Sequence, residues 1–125
     1  MIVLDASAVL AVVYDEPGAA AVAERLDGGL MSVVNLAETL STIAKNGGDP
    51  GFSARQLELA GVQFAAVSKE QAVDAAVLRP LTLHLGLSLG DRLCLALARE
   101  RRLPVLTNER RWLEFDFGVR VELGR

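Results

Sequence analysis

Short apolar runs that never alternate with polar residues constrain this chain more than any other feature. The first, Ile2–Leu4 in "MIVLDASAVL", stops at a carboxylate, Asp5. A half-exposed strand alternates apolar and polar side chains, whereas a run apolar at every position must be covered on both faces. "GGLMS" and "LPVLT" carry similar runs, "VQFAAVS" is strand-like, and "GVRVEL" reads as a last strand. Helical stretches separate them. "SAVLAVVYDEPGAAAVAERL" is a helix broken near Pro17-Gly18, and Ser32 caps "VVNLAETLSTIAKN", which ends at Gly47-Gly48. "GDPGF" reads as a turn, "SARQLELA" as a short helix, and "KEQAVDAAVLR" as a helix stopped by Pro80. "LTLHLGLS" is ambiguous, "ERRWLEF" is a short helix, and "LGDRLCLALARERR" is so apolar that it must be buried along most of its length. This alternation predicts an α/β fold, a three-layer α/β/α sandwich with a mostly parallel central sheet of about four to five strands. Crossover connections bring strand C-termini to one edge of such a sheet, where ligands bind.

At 125 residues the chain suits one domain, residues 1–125. About half of it is apolar and a quarter charged, so a folded globule is expected. No run approaches the roughly 20 apolar residues that span a bilayer, and no leader pattern precedes "MIVLD". With one cysteine, Cys94, the chain has no internal disulfide. Together these features suggest a protein of the reducing cytoplasm with no membrane association. The formal charge of −3 is unevenly spread. Residues 1–90 hold five Lys/Arg and ten Asp/Glu, while residues 91–125 hold eight Arg and six Asp/Glu.

Four acids lie where polar residues interrupt apolar surroundings. Asp5 ends the first strand, where a helix N-cap is the simple reading. Glu38 sits at the edge of the apolar face of its helix, with Asn35 three residues before it as a polar boundary residue. Asp91 forms an S-x-x-D capping pair with Ser88 at the start of the apolar helix. Glu109 follows "PVLTN", in the first turn after a strand. In a parallel sheet these positions converge. Clustered carboxylates repel and raise each other's pKa, so a divalent cation is expected among them. With no His or Cys at ligand spacing, oxygen-only ligands point to Mg²⁺ or Mn²⁺.

These same residues carry a family resemblance that covers nearly the whole chain, in order. "IVLDASAVL" with Asp5 and Ser7, "MSVVNLAETL" with Glu38, "LGLSLGDRLCLALA" with Asp91, and "LPVLTNERRW" with Thr107 and Glu109 resemble a PIN domain. The resemblance is specifically to VapC-type ribonuclease toxins of type II toxin–antitoxin pairs. Members usually carry Asp where this chain has Glu109. The resemblance implies a Mg²⁺- or Mn²⁺-dependent endoribonuclease in which Asp5, Glu38, Asp91 and Glu109 are catalytic. Asp5 and Asp91 would hold the metal, Glu38 and Glu109 its waters, and Ser7, Asn35 and Thr107 would support them. It also implies an RNA substrate, a VapB-type antitoxin and a homodimer. Arginine suits phosphate contacts, and Arg92, Arg110 and Arg111 are the candidates to meet RNA. A PIN module that binds RNA or a protein without cleaving is the alternative.

Other chemistries fit poorly. His84 is the single histidine, so paired imidazoles are excluded, and Cys94 lies within "RLCLALA", as a core residue would. A haloacid-dehalogenase-type enzyme needs an aspartate two residues after the first, where this chain has Ser7. A receiver domain needs a lysine near the end, and the last third has none. Trp112 reads as a packing residue.

Overall fold

A computed structural model describes residues 1–125. Five strands form one sheet: β1 (Ile2–Leu4), β2 (Gly29–Ser32), β3 (Gln63–Ala65), β4 (Val105–Thr107) and β5 (Val121–Leu123). Their order is β3-β2-β1-β4-β5, and every neighbouring pair is parallel. Six helices connect them: α1 (Ala6–Val13), α2 (Ala19–Ala23), α3 (Val33–Lys45), α4 (Pro50–Leu59), α5 (Lys69–Leu81) and α6 (Leu89–Arg101). Short 3-10 turns cover Leu83–Leu85 and Arg110–Glu114. The expected α/β fold is therefore present, with a sheet that is wholly parallel.

Both faces of the sheet are apolar because both are covered. Ile2 and Leu4 point into one cluster, with Val9, Val22, Leu26 and Leu57. Val3 points into the other, with Leu95, Leu97, Val105 and Trp112. The side chains thus still alternate between faces, as strand geometry requires. The uniform hydrophobicity of "IVL" reports that neither face meets water. Helix α6 crosses the second face, and Leu93 through Ala98 are buried without a break. Cys94 and Trp112 are buried there too, as expected for packing residues, and His84 is exposed.

Three local features depart from the sequence reading. "GDPGF" opens α4 instead of forming a separate turn. Asp49 caps it by accepting from Phe52 N at 3.1 Å, and Pro50 occupies the first turn, where a missing N–H costs nothing. Pro80 does not stop α5, which runs to Leu81. It falls in the last turn, where it removes one hydrogen bond, and Thr82 closes the end by donating N–H and Oγ1–H to Leu78 O at 3.0 and 2.8 Å. "LTLHLGLS" resolves into the first 3-10 turn and a left-handed Gly86 with φ +64°.

The strand order reverses between β1 and β4. One set of connections leads from β1 outward to β3, and the other leads from β4 to β5. The C-terminal ends of β1 and β4 therefore border the topological switch point, where open α/β sheets form a crevice. Asp5 follows β1 directly and Thr107 ends β4. Because α6 spans the core behind this edge, Leu97→Ala should cost about 2–5 kcal/mol in urea unfolding. Leu59→Ala, at a position 81% exposed, should change stability by less than about 0.5 kcal/mol.

Candidate functional site

Asp5 is the innermost acid. Its N–H donates to Leu106 O at 3.0 Å, so the β1–β4 pairing holds its backbone. Its carbonyl accepts from Ala8 N and Val9 N, which starts α1. The side chain makes no capping hydrogen bond, which leaves the carboxylate free for other partners. Oδ2 accepts from Ser7 Oγ at 2.6 Å and from Thr107 Oγ1 at 2.8 Å. Two backbone donors aim these hydroxyls: Asn108 N donates to Ser7 Oγ and Glu109 N to Thr107 Oγ1, both at 3.0 Å. Each hydroxyl has one hydrogen and gives it to Asp5. The 3.1 Å approach of the two hydroxyls is then a contact between oxygens. Asp5 is 2% exposed, and its pKa rises from 3.8 to about 6. Burial is the main cause, partly offset by the Ser7 hydrogen bond, with the charge of Asp91 adding to the rise.

Asp91 arrives from the opposite side, on the first turn of α6. Its Oδ2 accepts from Ser88 N at 2.9 Å while Ser88 Oγ accepts from Asp91 N at 3.1 Å, which completes the expected capping box. Oδ1 makes no hydrogen bond within the chain. Glu38 comes from α3. Asn35 Nδ2 donates to Glu38 Oε1 at 3.0 Å and to Gly90 O at 3.1 Å, so one amide joins α3 to α6. Glu38 also has a raised pKa, from burial first, offset by Asn35 and reinforced by Asp91. The fields of Asp5, Asp91 and Glu38 all reach the buried Cys94 thiol, whose pKa is pushed well up, chiefly by burial. Three of the four sequence-predicted acids therefore share one region, and Cys94 stays a neutral packing thiol.

Glu109 stands apart from that trio. It is half exposed and faces Arg111, with Oε2 at 3.8 Å from Nε. Arg111 also approaches Asp91, with Nη2 at 3.6 Å from Oδ2. Of the three arginines proposed for RNA, only Arg111 is at the site. Arg110 turns toward the chain end, donating to Arg125 O at 3.4 Å. Arg92 is a correction: it is 8% exposed and its Nη1 donates to Ala75 O at 2.9 Å, tying α6 to α5. Its guanidinium is consumed in the interior and cannot meet RNA. A cleft of about 830 Å³ lies at the opposite edge of the sheet, by the N-terminal ends of β4 and β5. It is lined by Arg99, Arg102, Arg120 and Asp116 and is remote from the acids.

Two contributors were not legible as such. Asn35 is wholly buried, not a boundary residue. Gly90 offers no functional group to read, yet a methyl group there would overlap the Glu38 carboxylate. The available signal was a glycine inside the first turn of an otherwise strong helix, where it costs about 1 kcal/mol of propensity.

The donor set fits a hard cation that keeps much of its water. Asp5 and Asp91 are close enough to influence each other, and every available ligand atom is oxygen. No three acidic, His or Cys side chains lie close enough to enclose an ion by themselves. Mg²⁺ suits such a site, since it binds through one or two carboxylates and retains several waters.

With this geometry established, the relatives are informative. The PIN domain family model matches residues 2–118, and the chain belongs to the PIN-domain family, whose members are generally nucleases. A toxin–antitoxin complex from Klebsiella pneumoniae is similar, with a TM-score of 0.76 and 16% identity over 100% of this chain and 98% of that one. DNA-bound VapBC from Salmonella typhimurium gives a TM-score of 0.75 and 17% identity over 100% of both chains. VapBC2 from Rickettsia felis, bound to a promoter DNA fragment, gives a TM-score of 0.73 and 19% identity over 98% of both. Comparison with curated protein sequences finds no match. No helix is long and apolar enough to cross a membrane.

The raised pKa of Asp5 has a consequence for stability without metal. Folded Asp5 keeps its proton to about pH 6, whereas in the unfolded chain the proton is lost near 3.8. The native state binds more protons between these values, so stability falls as pH rises through that window. Asp5→Asn removes the penalty and leaves an oxygen for Ser7 and Thr107. In chelator it should be more stable than the parent at pH 7 by on the order of 3 kcal/mol, and equal to it below about pH 4. Urea unfolding across pH measures this.

Proposed function

We propose that this protein is a Mg²⁺- or Mn²⁺-dependent endoribonuclease of the VapC type, the toxin of a toxin–antitoxin pair. The observation that carries the reading is an all-oxygen carboxylate site at the switch point of a PIN fold. Asp5 and Asp91 would hold the metal. A divalent cation bound there would lower the pKa of a water and neutralise charge on the phosphoryl oxygens. Ser7 and Thr107 keep Asp5 in one orientation, and the Ser88 cap does the same for Asp91. Asn35 fixes Glu38 beside them, where its free oxygen can orient water. Arg111 lies beside Asp91, which supports it as the arginine that would meet a substrate phosphate.

The partners follow from the same reading. Several similar structures are toxin–antitoxin complexes, which supports a small VapB-type antitoxin. Val73, Val77 and Leu81 are exposed at i, i+4 and i+8 on α5, which supports an interface for a second copy or the antitoxin.

Cleavage mapping on total RNA with Mg²⁺ or Mn²⁺ tests the activity. The parent should cut at defined sites, and Asp5→Asn and Asp91→Asn should each lower the rate by about 100-fold or more. An Asp5→Asn protein that cleaves as well as the parent defeats the reading. Gly90→Ala should lower cleavage by about tenfold or more with an unchanged far-UV spectrum, because the added methyl displaces Glu38.

A further inference from the structure

Arg111 makes more contacts than a surface arginine waiting for substrate needs. Nη1 donates to Leu85 O at 3.1 Å and reaches Gly86 O at 3.5 Å, so the 3-10 turn before α6 anchors the guanidinium. Glycine at 86 serves the left-handed turn, with φ +64°, that presents these carbonyls. From this anchor Nη2 faces Asp91 at 3.6 Å and Nε faces Glu109 at 3.8 Å. Both distances exceed a hydrogen bond, and Nε is buried without a hydrogen-bond partner. The guanidinium thus stands between two carboxylates and is fixed by neither. Its position is set by backbone carbonyls, which would hold it whether or not the acids are otherwise engaged.

We infer that Arg111 is a built-in counter-cation of the acidic site, standing against Asp91 and Glu109 when no metal is bound and opposing metal binding by its charge. The inference rests on the metal-site reading given above. Glu109 is then a positioning residue that acts on the site through Arg111, not a ligand in its own right. Its placement supports this, since it faces the guanidinium and not Asp5 or Glu38. The electrostatic logic has two sides. Without metal, Asp91 repels Asp5 and Glu38, and a positive charge standing beside Asp91 offsets part of its field. With metal, the same charge repels the incoming ion.

The test compares the whole parent protein with Arg111→Gln, and with Arg110→Gln as the control. In chelator, Arg111→Gln should lower Tm by roughly 2–5 °C and Arg110→Gln should not. In calorimetric Mn²⁺ titration, Arg111→Gln should bind roughly three- to tenfold more tightly than the parent, and saturating Mn²⁺ should restore its Tm. Loss of a purely structural brace would not tighten metal binding. Weaker or equal Mn²⁺ affinity in Arg111→Gln, or equal Tm losses in the two variants, overturns the counter-cation role. If neither protein binds Mn²⁺, the metal reading and the counter-cation role fall together, whereas Mn²⁺ binding of equal strength in both overturns the counter-cation role alone.

Discussion

Everything at the working edge of this molecule depends on one buried carboxylate and the two hydroxyls that hold it. Asp5 takes both hydrogen bonds on a single oxygen, one from Ser7 in the following helix and one from Thr107 across the β1–β4 pair. A buried carboxylate is costly unless its partners are fixed in advance. Here the backbone N–H groups of Asn108 and Glu109 fix them, through the turn that leaves β4. Clasping one oxygen leaves the other without a side-chain partner, at the end of β1 beside the switch point. The sheet order and the carboxylate's orientation therefore have a common origin in the β1–β4 junction.

The rest of the site is assembled by helices that arrive end-on. Helix α6 supplies Asp91 from its first turn, and α3 supplies Glu38 from its second. The Asn35 amide keeps these two helices in register by bonding both Glu38 and the Gly90 carbonyl. Close packing at Gly90 makes that register possible. Charge alone would drive the three acids apart, so the alignment depends on packing against the apolar length of α6.

Much of the fold was legible because burial on two faces leaves an unambiguous trace. "IVL" and "LPVLT" have no polar alternation, and α6 is apolar nearly all round, so a covered parallel sheet followed. The Ser88–Asp91 cap was equally plain, since a capping box is a local pattern of four residues. The errors came where a side chain's identity and its environment part company. Arg92 looks like the other C-terminal arginines, but helix phase turns it into the contact with α5, and its stem can follow apolar surface while Nη1 finds a carbonyl. Asn35 has the local pattern of a boundary residue because the partner it bridges to is 55 positions away. Pro80 marks the right helix end but not the right residue, since a proline in the last turn forfeits only one bond. Arg111 reads as a candidate to meet RNA, but its anchorage on Leu85 and Gly86 depends on a 3-10 turn whose sequence, "LTLHLGLS", is ambiguous.

Asp91 divides its two oxygens between different tasks. Oδ2 closes the cap of α6, and Oδ1 makes no hydrogen bond within the chain. One carboxylate thus supplies both a cap and a free acceptor. An asparagine at 91 has a single oxygen, which the Ser88 N–H would claim, and its amide nitrogen would then be presented to a cation. A serine would cap the helix but would have no second oxygen for a ligand. Either change would keep the cap and remove the oxygen left over for a ligand, so α6 can stay intact while the proposed metal site is lost.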